Sequence, residues 1–318
     1  MRFFNQINPG TLVLGFFLFP GFWGFAGGET NKITASPEKL LEHVSSLSSI
    51  SPGRNFENPG QLEKAATYIE AQLLSYGLNP ENQTFLVEGK VFRNIVVRFG
   101  KKEGKLLVIG AHYDTCGEQP GADDNASGVA GLLEISALLA KLPQQELAPV
   151  ELVFYTLEEP PNFRTSNMGS YVHAASLAAK GIKIRGMISL EMIGYFTEEK
   201  GSQKFPLRVL KLFYPSRGNF IAFVGKTGQG HFVRRAKRKM RGPCPVSICT
   251  INAPSKIPGI DFSDHLNYWK FGYKAMMITD TSFYRNFEYH KNGDTPERLD
   301  YKKMAGVVEG VIQYILKT

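Results

Sequence analysis

Apolar runs of two kinds alternate along most of the chain. Apolar residues recur at helical spacing in residues 58–78 and again after Asp300, which is typical of amphipathic helices. Near-continuous apolar runs such as KLLVIGAHYD and VELVFYTLEE are typical of strands that are buried on both faces. Because these strands alternate with helices, the sequence predicts an α/β fold with a mostly parallel central sheet sandwiched by helices.

The pattern locates five strands and five helices. The predicted strands share an apolar core and turn-like flanks: residues 92–99, 105–114, 150–159, 184–196 and 273–281. The predicted helices begin near Ser36, Asn58, Val129 and Gly169, and a last helix ends the chain. Residues 196–258 give no clear pattern, and we expect them to form the specificity pocket.

The first 27 residues differ from the rest of the chain. Arg2 precedes a broken apolar run, and Gly24 and Ala26 give the small-x-small pattern of a cleavage site. The run is short and interrupted for a membrane span. We therefore expect residues 1–27 to be the signal peptide of a secreted or periplasmic protein. An uncleaved anchor, which would attach the chain to a membrane, is the alternative. Residues 28–36 are interpreted as a linker and residues 37–318 as one domain.

Charge and cysteine content narrow the classes of partner. The 318 residues carry a formal net charge of +8 and three cysteines. Much of the positive charge lies in residues 231–242, which we interpret as a solvated helix face and not as a nucleic-acid site, because no aromatic platform accompanies it. Cys244 and Cys249 are close enough in sequence to form a disulfide in an oxidising compartment. Free thiols are the alternative. No cysteine spacing indicates a structural zinc site.

Titratable side chains follow the predicted strands at the point where each ends. The turn GADDNASG follows the second strand, and EYHKNGDTPE follows the fifth. The set comprises two imidazoles and seven carboxylates: His112, His290, Asp114, Asp123, Asp124, Glu158, Glu159, Glu191 and Asp294. Because ligands of such sheets bind beyond the carboxyl ends of the strands, we expect these side chains to converge. Imidazole nitrogen and carboxylate oxygen are zinc ligands, so the sequence predicts a metal site.

The ordered set HYD, GADDNASG, EE, LEMIG, SDH and YH resembles the co-catalytic dinuclear zinc aminopeptidases, which are related to glutaminyl cyclases. The resemblance covers roughly Pro37 to the C-terminus. It implies a zinc exopeptidase architecture of the phosphorylase/hydrolase type, two zinc ions per chain and a peptide or aminoacyl substrate. The metal ligands that it implies are His112, Asp124, Glu159, Glu191 and His290, with Asp124 bridging both ions.

The resemblance also implies roles for neighbouring residues. Glu158 would be the general base, which takes a proton from the attacking water and passes it to the leaving amine. Asp114 would fix the tautomer of His112. Glu191 stands where many members have aspartate, and both residues supply oxygen ligands. A strained peptide bond that can be cis is implied after Asp124, whereas Asp123 is expected to be a turn or cap residue.

Several residues near these motifs keep open or secondary roles. The loop PGIDFSDH has no tyrosine before SDH, so Tyr284 and Tyr289 are the candidates for stabilising the oxyanion. We expect Asp264 to support the His290 side of the site. Cys116 is interpreted as a small apolar filler. Arg285 would meet a substrate carboxylate or form an ordinary loop salt bridge.

Two functions other than hydrolysis are possible for a chain with this fold. A glutaminyl cyclase would use one zinc ion and acyl transfer on the same fold. A non-catalytic binding domain would lack some of the ligands or the base. Because all five implied ligands and Glu158 are present in the sequence, we expect a zinc-dependent exopeptidase, most simply an aminopeptidase.

Overall fold

The computed structural model describes residues 33–242 and 244–317. The expected signal peptide or anchor, residues 1–27, lies outside the described residues, as do residues 28–32 of the expected linker. Among the helices of the described ranges, none combines the length and the apolar character needed to cross a bilayer.

One sheet organises the described part of the chain. Its eight strands are β1 (Glu81–Val87), β2 (Lys90–Phe99), β3 (Leu106–His112), β4 (Val150–Tyr155), β5 (Ile184–Glu191), β6 (Phe220–Lys226), β7 (Ser247–Ala253) and β8 (Ala275–Thr279). They lie in the order β1-β2-β4-β3-β5-β8-β6-β7. Neighbours are parallel in the pairs β4/β3, β3/β5, β5/β8 and β6/β7, and antiparallel in the other three pairs. The prediction of a mostly parallel sheet is therefore confirmed.

The five predicted strands correspond to β2, β3, β4, β5 and β8. The strands that the sequence pattern did not reveal are β1, β6 and β7. Two of these, β1 and β7, lie at the two edges of the sheet and are only partly buried. Strands β4 and β8 are buried along their whole length, as their continuous apolar sequences predict.

Helices cover both faces of the sheet, as predicted. The α-helices are α1 (Pro37–Ser48), α2 (Pro59–Ser75), α3 (Gly128–Ala140), α4 (Gly169–Ala179), α5 (Gly230–Met240), α6 (His265–Lys270) and α7 (Tyr301–Leu316). Helices α1, α2, α3, α5 and α7 pack among themselves on one face, and α4 packs with α6 on the other. Two apolar clusters, one on each side of the sheet, form the core.

Local signals explain where the terminal helices begin. Ser36 caps α1 by accepting a hydrogen bond from the Lys39 amide at 3.1 Å, with Pro37 in the first turn. Asp300 caps α7 by accepting from the Lys303 amide at 3.0 Å. The basic segment forms α5, which buries Phe232, Val233, Ala236 and Met240 and exposes arginines.

The thiol groups of Cys116, Cys244 and Cys249 are all free. The structure therefore does not pair Cys244 with Cys249, which was one of the two outcomes that the sequence left open. Cys244 is buried, and its thiol donates a weak hydrogen bond to the Val246 carbonyl at 3.5 Å. The other two cysteines are partly exposed.

Candidate metal centre and active site

Four adjacent parallel strands bring the titratable side chains to one edge of the sheet. His112 is the last residue of β3, and Glu191 is the last residue of β5. Glu158 and Glu159 follow the end of β4, and His290 lies in the segment after β8. Since β4, β3, β5 and β8 are neighbours, their carboxyl ends deliver all of these groups to one place.

The turn that carries Asp124 is held from several sides. It is a kinked turn, Ala122–Ser127, in which Asp124 and Asn125 leave the helical conformation, and the Asp124–Asn125 peptide bond is cis. The Asp294 carboxylate accepts hydrogen bonds from the amides of Asp123 at 3.1 Å and Asp124 at 3.0 Å. Gly121 precedes the turn with φ of 57°, and a Cβ there would collide with the Asp124 carbonyl. The turn therefore fixes the backbone of Asp124 while leaving its carboxylate free to face the site.

Asp124 lies between two histidine–glutamate pairs. Its Oδ1 is 3.5 Å from His112 Nε2, which is itself 3.4 Å from Glu191 Oε2. Its Oδ2 is 3.1 Å from His290 Nε2, which is 3.2 Å from Glu159 Oε1. Each carboxylate oxygen of Asp124 thus faces one pair.

Unsatisfied buried atoms indicate that the residues fit metal ions. Glu159 is 5% exposed, yet its Oε1 has no hydrogen-bond partner, and neither has His290 Nε2. These two atoms are only 3.2 Å apart. That distance is short enough for a hydrogen bond, but the angles between the two groups do not allow one. Ligand atoms of His112, Asp124 and Glu159 also lie within 4.8 Å of one another. Nitrogen and oxygen donors that converge without bonding each other are what a divalent cation requires.

Acids and bases crowd one another in this site. Burial raises the pKa of Glu159 to about 7, and the nearby Asp124 carboxylate adds to this shift. The pKa of Glu191 is also raised, mainly by burial. Burial lowers the pKa of His112, but the neighbouring carboxylates of Glu191 and Glu158 outweigh it and raise that pKa well above its ordinary value. A dication would relieve this mutual repulsion of the acids.

Glu158 lies outside the two ligand pairs but close to them. Its Oε2 is 4.0 Å from His112 Nε2, and it lines the cavity over the site. Burial raises the pKa of Glu158 well above the ordinary value, and Glu159 and Glu191 reinforce the shift against the opposing effect of His112. A carboxyl group with a raised pKa beside the reacting centre is suited to proton transfer near neutral pH.

Asp114 holds the glutamate pair in place. Its Oδ1 and Oδ2 accept hydrogen bonds from the backbone amides of Glu158 at 3.1 Å and Glu159 at 3.0 Å. His112 Nδ1 donates instead to the Asp114 backbone carbonyl at 3.2 Å, while the Asp114 carboxylate is 3.5 Å away. Asp114 therefore orients His112 mainly through its backbone, and its side chain positions the segment that carries Glu158 and Glu159.

Three secondary expectations need correction. Asp123 is not an ordinary turn or cap residue, because it is fully buried and its carboxylate accepts hydrogen bonds from the Gly194 amide and the Asn286 side chain, each at 3.1 Å. Arg285 is 1% exposed and its guanidinium donates to Gln203 and to two backbone carbonyls. It is neither free for a substrate carboxylate nor an ordinary loop salt bridge.

The third correction concerns the SDH motif. Asp264 is buried, and its charged neighbours include His112, Glu191 and Asp114, so it belongs to the His112 side and not to the His290 side. Ser263, the residue before it, donates a hydrogen bond to Glu191 Oε2 at 2.7 Å. The third residue, His265, donates through Nε2 to the Ile260 carbonyl at 2.8 Å.

The structure separates the two tyrosine candidates. The Tyr284 hydroxyl donates to the Pro258 carbonyl at 3.3 Å. Tyr289 stacks on His290 with ring centroids 3.7 Å apart. Burial raises the pKa of Tyr289, and the nearby carboxylates, Asp124 first among them, raise it further, so its phenol keeps its proton and can donate. Because Tyr289 contacts a residue of the metal centre, it is the better candidate for stabilising the oxyanion.

A cavity of about 290 Å³ opens directly over the site. Its floor contains Asp124, Glu158, Glu159, Glu191 and His290. Its walls are mainly apolar. Phe163 comes from the segment after β4, and the other apolar wall residues come from residues 203–262 and the segment after β8: Phe205, Leu210, Phe220, Val224, Ile251, Phe262 and Phe283. The segment 196–258 thus lines the cavity, as expected from the sequence.

The sequence does not predict the structural roles of two residues of the site. Arg54 is fully buried, and its guanidinium donates to the carbonyls of Tyr113, Pro120 and Gly121, joining the end of β3 to the Asp124 turn. Asp294 belongs to the set predicted to converge, but its role as the hydrogen-bond acceptor for that turn is seen only in the structure. Neither role has a local sequence signal, because both residues bind backbone groups distant in the chain.

A model of peptidase family M28 matches residues 94–315, a span that contains every titratable residue of the centre. The chain belongs to peptidase family M28. This M28 chain is 46% identical over 286 residues to the uncharacterized protein YfbL of Escherichia coli, with 87% of each chain covered.

More distant relatives carry functional names. Leucine aminopeptidase 1 of Coccidioides posadasii is 27% identical over 225 residues, covering 66% of this chain and 52% of its own length. The M28 chain therefore spans about half the length of that fungal enzyme. Among solved structures, LapB from Legionella pneumophila aligns with a TM-score of 0.70 at 21% identity, covering 89% of this chain and 72% of that chain.

A glutaminyl cyclase from Bacteroides thetaiotaomicron aligns with a TM-score of 0.65 at 18% identity and covers 90% of this chain and 99% of that chain. These two structural similarities establish the shared fold. The family resemblance inferred from the sequence and the predicted architecture are both confirmed.

Proposed function

We propose that this M28 peptidase is an aminopeptidase that uses two zinc ions to hydrolyse the peptide bond after an N-terminal residue. The observation that carries the proposal is the position of Asp124, whose two carboxylate oxygens face separate histidine–glutamate pairs. Two cations about 3.5–4 Å apart need a shared anion between them. His112 and Glu191 would hold one ion, and Glu159 and His290 would hold the other.

The chain's own residues would then divide the chemistry among them. Bound zinc would supply Lewis acidity and bring the pKa of water close to neutrality. Glu158 takes the proton of the attacking water and returns it to the leaving amine. Tyr289 donates its phenolic proton in a hydrogen bond to the scissile carbonyl oxygen as negative charge develops there.

The cavity supports an N-terminal substrate with an apolar side chain. The metal pair would leave an open coordination position for a free α-amino group, and the mostly apolar walls favour a large aliphatic or aromatic side chain. The name of the fungal relatives, leucine aminopeptidase, agrees with this. We expect anilides of leucine and phenylalanine to be cleaved faster than those of aspartate or lysine.

The test compares Glu158→Gln with Glu297→Gln, an exposed glutamate away from the site. Zinc content is measured by mass spectrometry, and hydrolysis is measured with leucine anilide. Glu158→Gln should keep two zinc ions per chain and lose about 10²–10⁴-fold in kcat, while Glu297→Gln should match the wild type. Retained hydrolysis in Glu158→Gln would remove that residue from the base role.

A second variant tests the bridge. Asp124→Ala should lose both ions together, because each ion loses a ligand and the two cations lose their shared anion. Loss of a single ion would contradict the bridging assignment. One zinc ion per wild-type chain, together with cyclisation of N-terminal glutamine, would favour acyl transfer over hydrolysis.

Export is part of the same proposal. The supporting features are the apolar run and the Gly24–Ala26 pattern of the first 27 residues. Expression of the full chain followed by cell fractionation and N-terminal sequencing tests it. A cleaved product outside the cytoplasm is expected. An intact product in the membrane fraction would favour the anchor, and an intact product in the cytoplasm would contradict both forms of the proposal.

A further inference from the structure

Cys116 lies beside one half of the metal centre. It follows Asp114 by two residues on the loop between β3 and the Asp124 turn, and it is partly exposed. Ligand atoms of Cys116, Glu159 and His290 all lie within 4.8 Å of one another. The sequence suggested that Cys116 fills space in a packed apolar interior. Its thiol lies instead beside the carboxylate of Glu159 and the imidazole of His290.

The two partners of Cys116 point independently to a ligand. Glu159 Oε1 and His290 Nε2 are buried and have no hydrogen-bond partner, although they are 3.2 Å apart. Both atoms are therefore available to a ligand. Cys116 offers its sulfur to the same pair of residues, and Asp124 Oδ2 lies 3.1 Å from His290 Nε2 on the side of the metal centre.

Zinc coordination chemistry fits the group of Cys116, Glu159 and His290. Zinc prefers four ligands in a tetrahedral arrangement, and thiolate sulfur is a strong ligand for it. Asp124, Glu159 and His290 supply three donors to this half of the centre. In the other half of the centre, the residues grouped with His112 are Asp124 and Glu159, and no cysteine is among them.

We propose that Cys116 is a sulfur ligand of the metal ion held by Glu159 and His290. The inference rests on the proposed metal pair and adds a donor that the family resemblance does not imply. Binding releases the thiol proton to solvent and forms one metal–sulfur bond, so no oxidant is required. The two halves of the centre are then chemically unequal, and thiol reagents reach Cys116 only when the metal is removed.

Cobalt substitution gives a readout that does not depend on activity. The chain is loaded with Co²⁺ in place of zinc, and its absorption is recorded for wild type, Cys116→Ser and Cys249→Ser. Cys249 is a matched control because it is also a free, partly exposed thiol that lines the cavity wall. Wild type and Cys249→Ser should show a sulfur-to-cobalt charge-transfer band in the near ultraviolet, and Cys116→Ser should lose it while retaining the visible bands of bound cobalt.

Metal affinity and alkylation provide the second measurement. Cys116→Ser should weaken the affinity for one of the two ions by at least roughly tenfold, the lower end of the loss seen when even an outer supporting group is removed. Peptide mapping after iodoacetamide treatment should find Cys116 protected in the loaded protein and modified in the chelated protein.

The outcomes separate the two proposals. If the wild type binds two cobalt ions without a sulfur band, the ligand role of Cys116 is wrong and the dinuclear centre stands. A band that persists in Cys116→Ser would also overturn the ligand role. If the chain binds only one ion, the dinuclear function fails; a sulfur band from that single ion, lost in Cys116→Ser, would still support the ligand role of Cys116, and its absence would overturn that role as well.

Discussion

Replacing Asp114 with asparagine tests how the chain positions its glutamate pair. The carboxylate uses one oxygen for the Glu158 amide at 3.1 Å and the other for the Glu159 amide at 3.0 Å. Asparagine keeps one acceptor and puts an NH₂ group where the second oxygen stood, so a donor faces a buried donor. Asp114 is 2% exposed, which leaves water little access to repair the loss.

The magnitude follows from these contacts. A hydrogen bond to a charged group contributes about 1.5–3 kcal/mol, and a buried unsatisfied donor costs about 1–3 kcal/mol, with the two figures partly overlapping. We therefore expect Asp114→Asn to lower the free energy of unfolding by about 2–4 kcal/mol. Displacement of Glu159 should also weaken metal binding, and displacement of Glu158 should lower kcat.

The assay is urea unfolding followed by circular dichroism, with a chelator present so that metal loss does not contribute. Asp300→Asn is the matched control, because Asp300 caps α7 with one oxygen and asparagine caps helices equally well. Its effect should stay below about 1 kcal/mol. An Asp114→Asn variant as stable as this control, with unchanged zinc affinity, would refute the positioning argument.

Three further predictions follow from the site. Tyr289→Phe should keep the metal content and lower kcat on leucine anilide by about 10²-fold or more; an unchanged kcat would exclude Tyr289 as the oxyanion donor. Gly121→Ala should weaken zinc binding measured by competition with a chelator, because its Cβ would collide with the Asp124 carbonyl, whereas Gly77→Ala, with φ of 75° and open space, should not. Burial lowers the pKa of His265 to about 4, so its ring nitrogens should report a neutral ring by NMR at pH 5.5. This neutral ring stabilises the fold above the unfolded-state pKa near 6.5, and roughly 3 kcal/mol is lost as pH falls to about 4; a ring that titrates near 6.5 would contradict the burial argument.

The strands that carry the metal centre were predictable because each combines a buried apolar sequence with a titratable residue at or after its end. β3, β4, β5 and β8 have continuous apolar sequences, and a titratable residue ends or follows each one. β1 and β7 were missed because edge strands are only partly buried and their polar and apolar residues mix. β6 has a readable apolar run, Phe220–Lys226, in a segment where we recognised no pattern.

Other features of the centre lie beyond sequence patterns. Leu157, Met192 and His290 adopt left-handed backbone conformations, with φ of 59°, 49° and 58°, although glycine is the usual residue there. Such strained residues cluster at functional sites. The residue types leucine and methionine do not indicate a left-handed conformation, so the sequence does not predict it. Arg54 and Asp294 bind backbone groups far away in the chain, so only the folded structure reveals their partners.

The order of strands has a consequence for how specificity can change. β5 and β8 are neighbours in the sheet, although β6, α5 and β7 all lie between them in the chain. A large part of the cavity wall, drawn from residues 203–258, is therefore one continuous segment of chain inserted between two neighbouring strands. We expect substitutions on the cavity side of this segment to change the shape of the pocket while the strand ends that carry His112 and Glu191 stay in register.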